Sequence, residues 1–304
     1  MTRQVLSGAL AVALALGTGQ AAAISVTPNT NATDLANSLL SPGVSLVGSP
    51  TFTGGDGDPV TSLGVVSAGT FTGGTASGLG FDNGVVLTSG DATLVDNTNS
   101  GDAQTGSFNG AGDADLNAIV APSSTDDATV LEFDFTTTTG DLFFNYVFAS
   151  EEYNEYVDSP FNDVFAFFVD GTNVAIAPDG NPVSINNVNC GNPFAGSGPN
   201  CSVFNNNDLQ DGGPFFSFEY DGFTDSLVAQ ALGLGPGTHT IKLAIADTGD
   251  SALDSGVFLQ AGSFQPDPGN GEPSQVPEPP MAMLFAVGLL ALGATAARSR
   301  RQPA

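Results

Sequence analysis

The sequence predicts an all-β fold: a single β-sandwich, jelly-roll-like in character, with one or two short helices. Three observations lead there. Short segments rich in Val, Ile, Thr and Phe recur along the chain, and such side chains suit a pleated, half-buried surface. The 39 glycines and 19 prolines, with many Asn and Asp, fall largely between those segments as turn chemistry. Only two segments pair a capping residue with helical spacing. Short strands with little helix bury their apolar faces best as two packed sheets.

Taken in chain order, NATDLANSLL (31–40) is a short helix capped by Asn31 or Thr33. VSLVGSPTFTG (44–54) and SLGVVSAGTFTGG (62–74) are strands. In FDNGVVLTSGDA (81–92), Asn83-Gly84 reads as a turn and VVLTS as a buried strand. GDADLNAIV (112–120) is the second helix, with Asp113 as its cap. TVLEFDFTT (129–137) alternates, so Leu131, Phe133 and Phe135 point inward while Glu132 and Asp134 point out. DLFFNYVFAS (141–150) and DVFAFFVDG (163–171) are apolar on both faces, as strands in the middle of a doubly covered sheet are. NVAIAP (173–178), PVSINNV (182–188) and PFFSFEY (214–220) read as further strands. THTIKLAIAD (238–247), with Ile241, Leu243 and Ile245 alternating, and SGVFLQAGSF (255–264) close the domain. PDPGNGEPSQ (266–275) is a linker.

The two ends belong to export rather than to the fold. Arg3, the apolar run VLSGALAVALALG and the small-residue site in TGQAAA make residues 1–23 a secretory signal peptide cleaved after Ala23; the competing reading is a short membrane anchor. At the other end, the 17 apolar residues 281–297 are at the short limit for a membrane helix. Arg298, Arg300 and Arg301 follow as a cytoplasmic flank. With Val276-Pro277-Glu278-Pro279 before the helix, residues 276–304 closely resemble a PEP-CTERM sorting signal. That resemblance implies a temporary inner-membrane stop and cleavage by an exosortase-type transpeptidase; an ordinary carboxy-terminal anchor is the plainer alternative. Either way residues 24–265 lie outside the cytoplasm.

Charge excludes some partners. All 32 acidic residues lie between residues 24 and 279, where Lys242 is the only lysine and no arginine occurs. Nucleic acid is excluded, because phosphate binding needs clustered Lys and Arg. Calcium is favoured, because it takes oxygen ligands. Cys190 and Cys201, the only cysteines, are expected to pair in an oxidising compartment. No G-x-S-x-G elbow, P-loop or dinucleotide fingerprint is present. His239, the sole histidine, reads as a partly exposed strand residue rather than a base.

Several stretches together resemble the choice-of-anchor L domain of bacterial surface proteins. They are GFDNGVVLTSGD (80–91), GDADLNAI (112–119), DDATVLEFDF (126–135), residues 144–171, EYDGFT (219–224) and residues 239–264. The resemblance implies an exported β domain that is anchored or released and has no established enzymatic activity. The Cys190–Cys201 insert falls where members are expected to vary.

One constellation remains. Glu151, Glu152, Glu155, Asp158 and Asp163 crowd the segment between the two most hydrophobic strands, and Asp247, Asp250 and Asp254 crowd ADTGDSALDSG (246–256). If the sandwich brings both groups to one end, Glu151, Glu152, Asp163, Asp247 and Asp254 are the expected ligands of one structural Ca²⁺, with Asn154 and Asn162 as amide donors of oxygen. Two other readings stand beside it: a solvated acidic loop that caps backbone amides, and a catalytic pair drawn from Glu151 or Glu152 with Asp163. No EF-hand loop is present, and GGDGDP (54–59) reads as a turn. The expected function is a non-enzymatic surface or extracellular-matrix role in adhesion, with a matrix polysaccharide or surface partner. The alternative is a secreted carbohydrate-active or carbohydrate-binding domain, which the absence of tryptophan weakens.

Overall fold

The computed structural model describes residues 23–96 and 98–267. Residues 1–22, most of the expected leader, and residues 276–304, where a sorting signal with an apolar helix is expected, lie outside the described residues, as does most of the expected linker. No helix among the described residues is long and apolar enough to cross a membrane.

The chain runs β1 (Ser25–Pro28), α1 (Ala32–Leu39), β2 (Val44–Thr53), β3 (Ala68–Thr72), β4 (Gly84–Thr88), α2 (Ala114–Val120), β5 (Thr125–Thr137), β6 (Leu142–Ser150) and β7 (Val164–Val169). It continues through β8 (Thr172–Asn173), β9 (Val183–Ser184), β10 (Phe204–Asn206), β11 (Gly222–Thr224), β12 (Leu227–Ala231), β13 (His239–Thr248) and β14 (Ser255–Gln260). The first sheet has the order β1-β3-β4-β14-β6-β11-β10, with β12 also on β6. The second has the order β2-β5-β13-β7-β8, with β9 also on β7. Among the described residues every strand pair is antiparallel.

Both helices start where the sequence places them. The Asn31 side chain accepts the amides of Thr33 and Asp34, and Asp113 accepts those of Asp115 and Leu116. Such caps satisfy first-turn N–H groups that have no partner inside the helix.

The sheets face each other across one core. Phe144 of β6 and Phe167 of β7 bring their ring centroids to 3.9 Å, and Phe264 stacks on Phe144 at 4.7 Å. Leu131, Phe133 and Phe135 point into this layer, as their alternation predicts. The outer face of the first sheet is covered by Leu79, Phe81 and Phe218. That of the second is covered by Leu116 and Val120 of α2. These covers explain why β6 and β7 are apolar on both faces. Lys242 points to the outer face of the second sheet, where its Nζ lies 2.7 Å from Asp113 and 2.6 Å from Asp115.

Some expectations fail. PFFSFEY (214–220) forms no strand: Asn207 Oδ1 accepts the amides of Phe215 and Phe216, both at 2.8 Å, and so takes the place of a sheet ladder. Of NVAIAP only Asn173 belongs to a strand, and of PVSINNV only Val183 and Ser184 do. The Asn-rich stretch instead turns back, with the amides of Asn187 and Val188 donating to the Ser184 carbonyl. Asn83-Gly84 is not the turn; Gly84 opens β4, where a Cβ would collide with the Leu259 carbonyl oxygen. Strands β1, β10, β11 and β12 have no counterpart among the strands expected from the sequence. His239 is 8 % exposed, more buried than expected, with Nδ1 2.7 Å from Asp170 Oδ2. Cys190 and Cys201 form the expected disulfide.

The contact of Phe144 with Phe167 and Phe264 makes a direct test of this core. Phe144→Ala should destabilise the domain by about 3–5 kcal/mol. The urea midpoint should fall while the slope of the transition is kept.

Candidate functional site

One end of the sandwich is built from four strand ends. Ser255 of β14 pairs with Ser150 of β6 in the first sheet, and Ala246 of β13 pairs with Val164 of β7 in the second. The loop leaving β6 and the loop joining β13 to β14 therefore emerge together. The Glu151 amide donates to the Asp254 carbonyl at 3.1 Å. Asp163 Oδ1 accepts the Thr248 amide at 2.9 Å, and its Oδ2 accepts the Ser255 hydroxyl at 2.7 Å.

Glu151, Glu152, Asp163, Asp247 and Asp254 are all buried there, each 4 % exposed or less. Asp158 and Asp250 are exposed. Of the two amides considered, Asn162 Oδ1 already accepts the Asn186 amide, whereas Asn154 is buried with Oδ1 unpartnered. The catalytic pairing of Glu151 or Glu152 with Asp163 would need access to a sugar, and all three are 2 % exposed or less. GGDGDP (54–59) holds local turns: Asp56 Oδ1 accepts the Asp58 amide, and Asp58 Oδ1 accepts the Val60 amide.

Asp208, Glu219 and Asp221 are also buried, and the sequence reading gave them no role. The signals were present: EYDGFT carries two of them, and the Asn/Asp run 205–211 carries the third. Asp91 and Asp102, which also border this end, sit in loop sequence without periodicity and give no such signal.

The loop 98–106 holds three carboxylates by one oxygen each. Glu151 Oε2 accepts the Gln104 amide at 3.4 Å. Glu219 Oε1 accepts the Ser100 amide at 3.1 Å and its hydroxyl at 3.2 Å. Asp254 Oδ2 accepts the Gly106 amide at 2.7 Å. Gly90 packs so closely on the Asp254 carboxylate that any Cβ there would overlap it. The other oxygens, Glu151 Oε1, Glu219 Oε2 and Asp254 Oδ1, are buried without a partner. All three residues, with Asp91 and Gln104, line a cavity of about 10 Å³, room for a single water or ion. Asp127 shows the ordinary solution for a buried carboxylate. It accepts from the Ser107 hydroxyl and from the amides of Phe108 and Gly110.

Behind the cavity, Asp247 is fully buried; the Ser89 hydroxyl lies alongside, but neither carboxylate oxygen accepts a hydrogen bond of ordinary geometry. Burial, and then the charges of Asp163 and Asp254, push its carboxyl well above the usual range. Burial followed by Asp221, Glu219 and Asp254 does the same to Glu151. Burial foremost raises Asp163 to about 8 and Asp254 to about 7, and burial with Asp163 raises Glu152 to about 9. The causes are those expected of crowded acids in low dielectric with no neighbouring cation. A hard divalent cation would reverse them, because it rewards the charged form of every oxygen it contacts.

The sign of the resulting pH dependence follows. These carboxyls titrate higher in the folded chain than in the unfolded one, where they sit near 4. The folded state therefore binds more protons, and stability without metal falls as pH rises from about 4 through about 9. Chelator-treated protein should melt at a higher temperature at pH 5 than at pH 8, as scanning calorimetry can read.

No curated protein and no solved structure matches the chain. The choice-of-anchor L domain profile matches residues 24–265, which spans both sheets and every residue of the acidic end. By that match, the chain belongs to the choice-of-anchor L domain family.

Proposed function

We propose that this chain is an exported, non-enzymatic surface or matrix module whose acidic end is locked by calcium. Family membership supports surface anchoring. In this reading the leader directs export with cleavage after Ala23. The tail at 276–304 holds the protein transiently in the inner membrane until an exosortase-type enzyme acts at Val276–Pro279. The finished domain then serves adhesion or matrix structure, with a matrix polysaccharide or a surface component as partner.

The observation that carries the calcium reading is the set of unpartnered buried oxygens around an ion-sized cavity. Glu151 and Asp254 face it directly. Glu152, Asp163 and Asp247 form a buried acidic layer beside them: Asp163 acts on both Glu152 and Asp247, and Asp254 acts on Asp163 and Asp247. Lys242 lies on the outer face of the second sheet, paired with α2. A cation that binds only the folded state supplies the missing charge, and at a hundred times its dissociation constant it stabilises the fold by about 2.7 kcal/mol. Such a requirement suits a protein that matures where calcium is plentiful.

Chelation should lower the melting temperature at neutral pH, and added calcium should restore it. Sodium chloride at matched ionic strength should not, which separates binding from general screening. Asp254→Asn should shrink the calcium-dependent shift; a melting curve indifferent to both chelator and calcium would refute the calcium reading. Deleting residues 276–304 should leave the melting temperature unchanged but alter where the protein accumulates, as fractionation of cells and medium would show. Unchanged sorting would refute the role given to the tail.

A further inference from the structure

We infer that a second divalent-cation site lies at the same end of the sandwich, held by Asp102, Glu155 and Asp208 with Asp221 beside them. It uses none of the five carboxylates assigned above and extends the calcium reading without depending on it.

The first argument is distance. Asp102, Glu155 and Asp208 each offer a carboxylate oxygen, and these oxygens lie within 4.8 Å of one another. Oxygens on opposite sides of a calcium ion, at about 2.4 Å each, stand about 4.8 Å apart, so all three fit one coordination sphere. The residues come from three separate connections: the loop after β4, the loop after β6 and the loop after β10. Their convergence is a product of the fold, not of local sequence.

The second argument is the state of the polar atoms around them. Asp221 is fully buried; Asn99 Nδ2 donates to its Oδ1 at 2.5 Å, and its Oδ2 has no partner. After burial, the nearby charges of Asp208, Asp102 and Glu155 all act on it, which puts it against the trio. Asn154 is 2 % exposed with Oδ1 unpartnered, while its Nδ2 reaches Asp208 Oδ2 at 3.4 Å and Asp211 Oδ2 at 3.0 Å. Asp102 Oδ1 and Glu155 Oε2 also lack partners. The described bridge between Asp102 and Glu155 is Gln210 Nε2, at 2.5 Å and 3.2 Å, a neutral donor between two acids.

The chemistry selects a hard cation with a flexible shell. All offered atoms are oxygens, from carboxylates and an amide. Oxygens drawn from three separate loops suit calcium, which accepts about six to eight ligands in flexible geometry, better than magnesium, which needs a near-ideal octahedral array. Asp102 and Glu155 are half-buried, so an ion can enter from solvent, whereas Asp208 and Asp221 form the buried floor.

Equilibrium dialysis of the full chain against radioactive calcium, after chelator treatment, counts the ions directly. Wild type should bind at least two per chain. Asp102→Asn and Glu155→Gln should each remove one, and Asp254→Asn should remove a different one. Both trio substitutions are at half-exposed positions, and circular dichroism would confirm that at least one variant is folded. If wild type binds a single ion that Asp254→Asn abolishes and Asp102→Asn spares, the second site is overturned and the first stands. A single ion lost in Asp102→Asn but kept in Asp254→Asn would leave the second site standing and sink the first. Wild type that binds no calcium overturns both.

Discussion

Everything at the acidic end depends on the face-to-face packing of β6 against β7. The rings of Phe144 and Phe167, with Phe264 between the sheets, fix how the two layers meet. Because β14 is registered on β6 and β13 on β7, that one contact also decides where both loops emerge. Apolar burial of this kind is the main favourable contribution to folding, and it is indifferent to what the loops carry. The carboxylates are brought together by the core, against their own repulsion.

The cost of that repulsion is handled unevenly. Asp127 and Asp163 have their carboxylate oxygens met by amide and hydroxyl donors. Glu151, Glu219 and Asp254 are each half-satisfied, one oxygen pinned by the loop 98–106 and the other left open. Pinning one oxygen orients the other, which is how a preorganised cation site is made. The same loop carries Asp102, so one stretch of chain touches both candidate sites. An ion at either place would tie this loop to the strand ends.

Much of the scaffold was legible in the sequence. Clean alternation in TVLEFDFTT marked its buried face, two-faced apolarity marked β6 and β7 as doubly covered, and Asn31 and Asp113 marked the helix starts. The failures share a cause. PFFSFEY has a strand's composition, but Asn207, seven residues upstream of Pro214, satisfies its backbone instead. β12 has too weak a pattern to stand out and exists because β6 offers it an edge to pair with. Short runs say what their side chains prefer, not which hydrogen-bond partner will be within reach.

The sequence by itself determined the class of the molecule: mostly β and strongly acidic with one lysine. It also singled out two of the acidic segments, because charges set between the most hydrophobic strands are conspicuous in one dimension. Only the tertiary structure decided which acids share a space. Asp102, Asp208, Glu219 and Asp221 are far from Glu151 along the chain, and Asp102 has no local signal at all, yet sheet pairing carries them to the same end. Burial and the supply of donors are properties of the packed surroundings. No residue type announces whether its carboxylate will end as Asp127 did, with three donors, or as Asp254 did, with one oxygen buried without a partner.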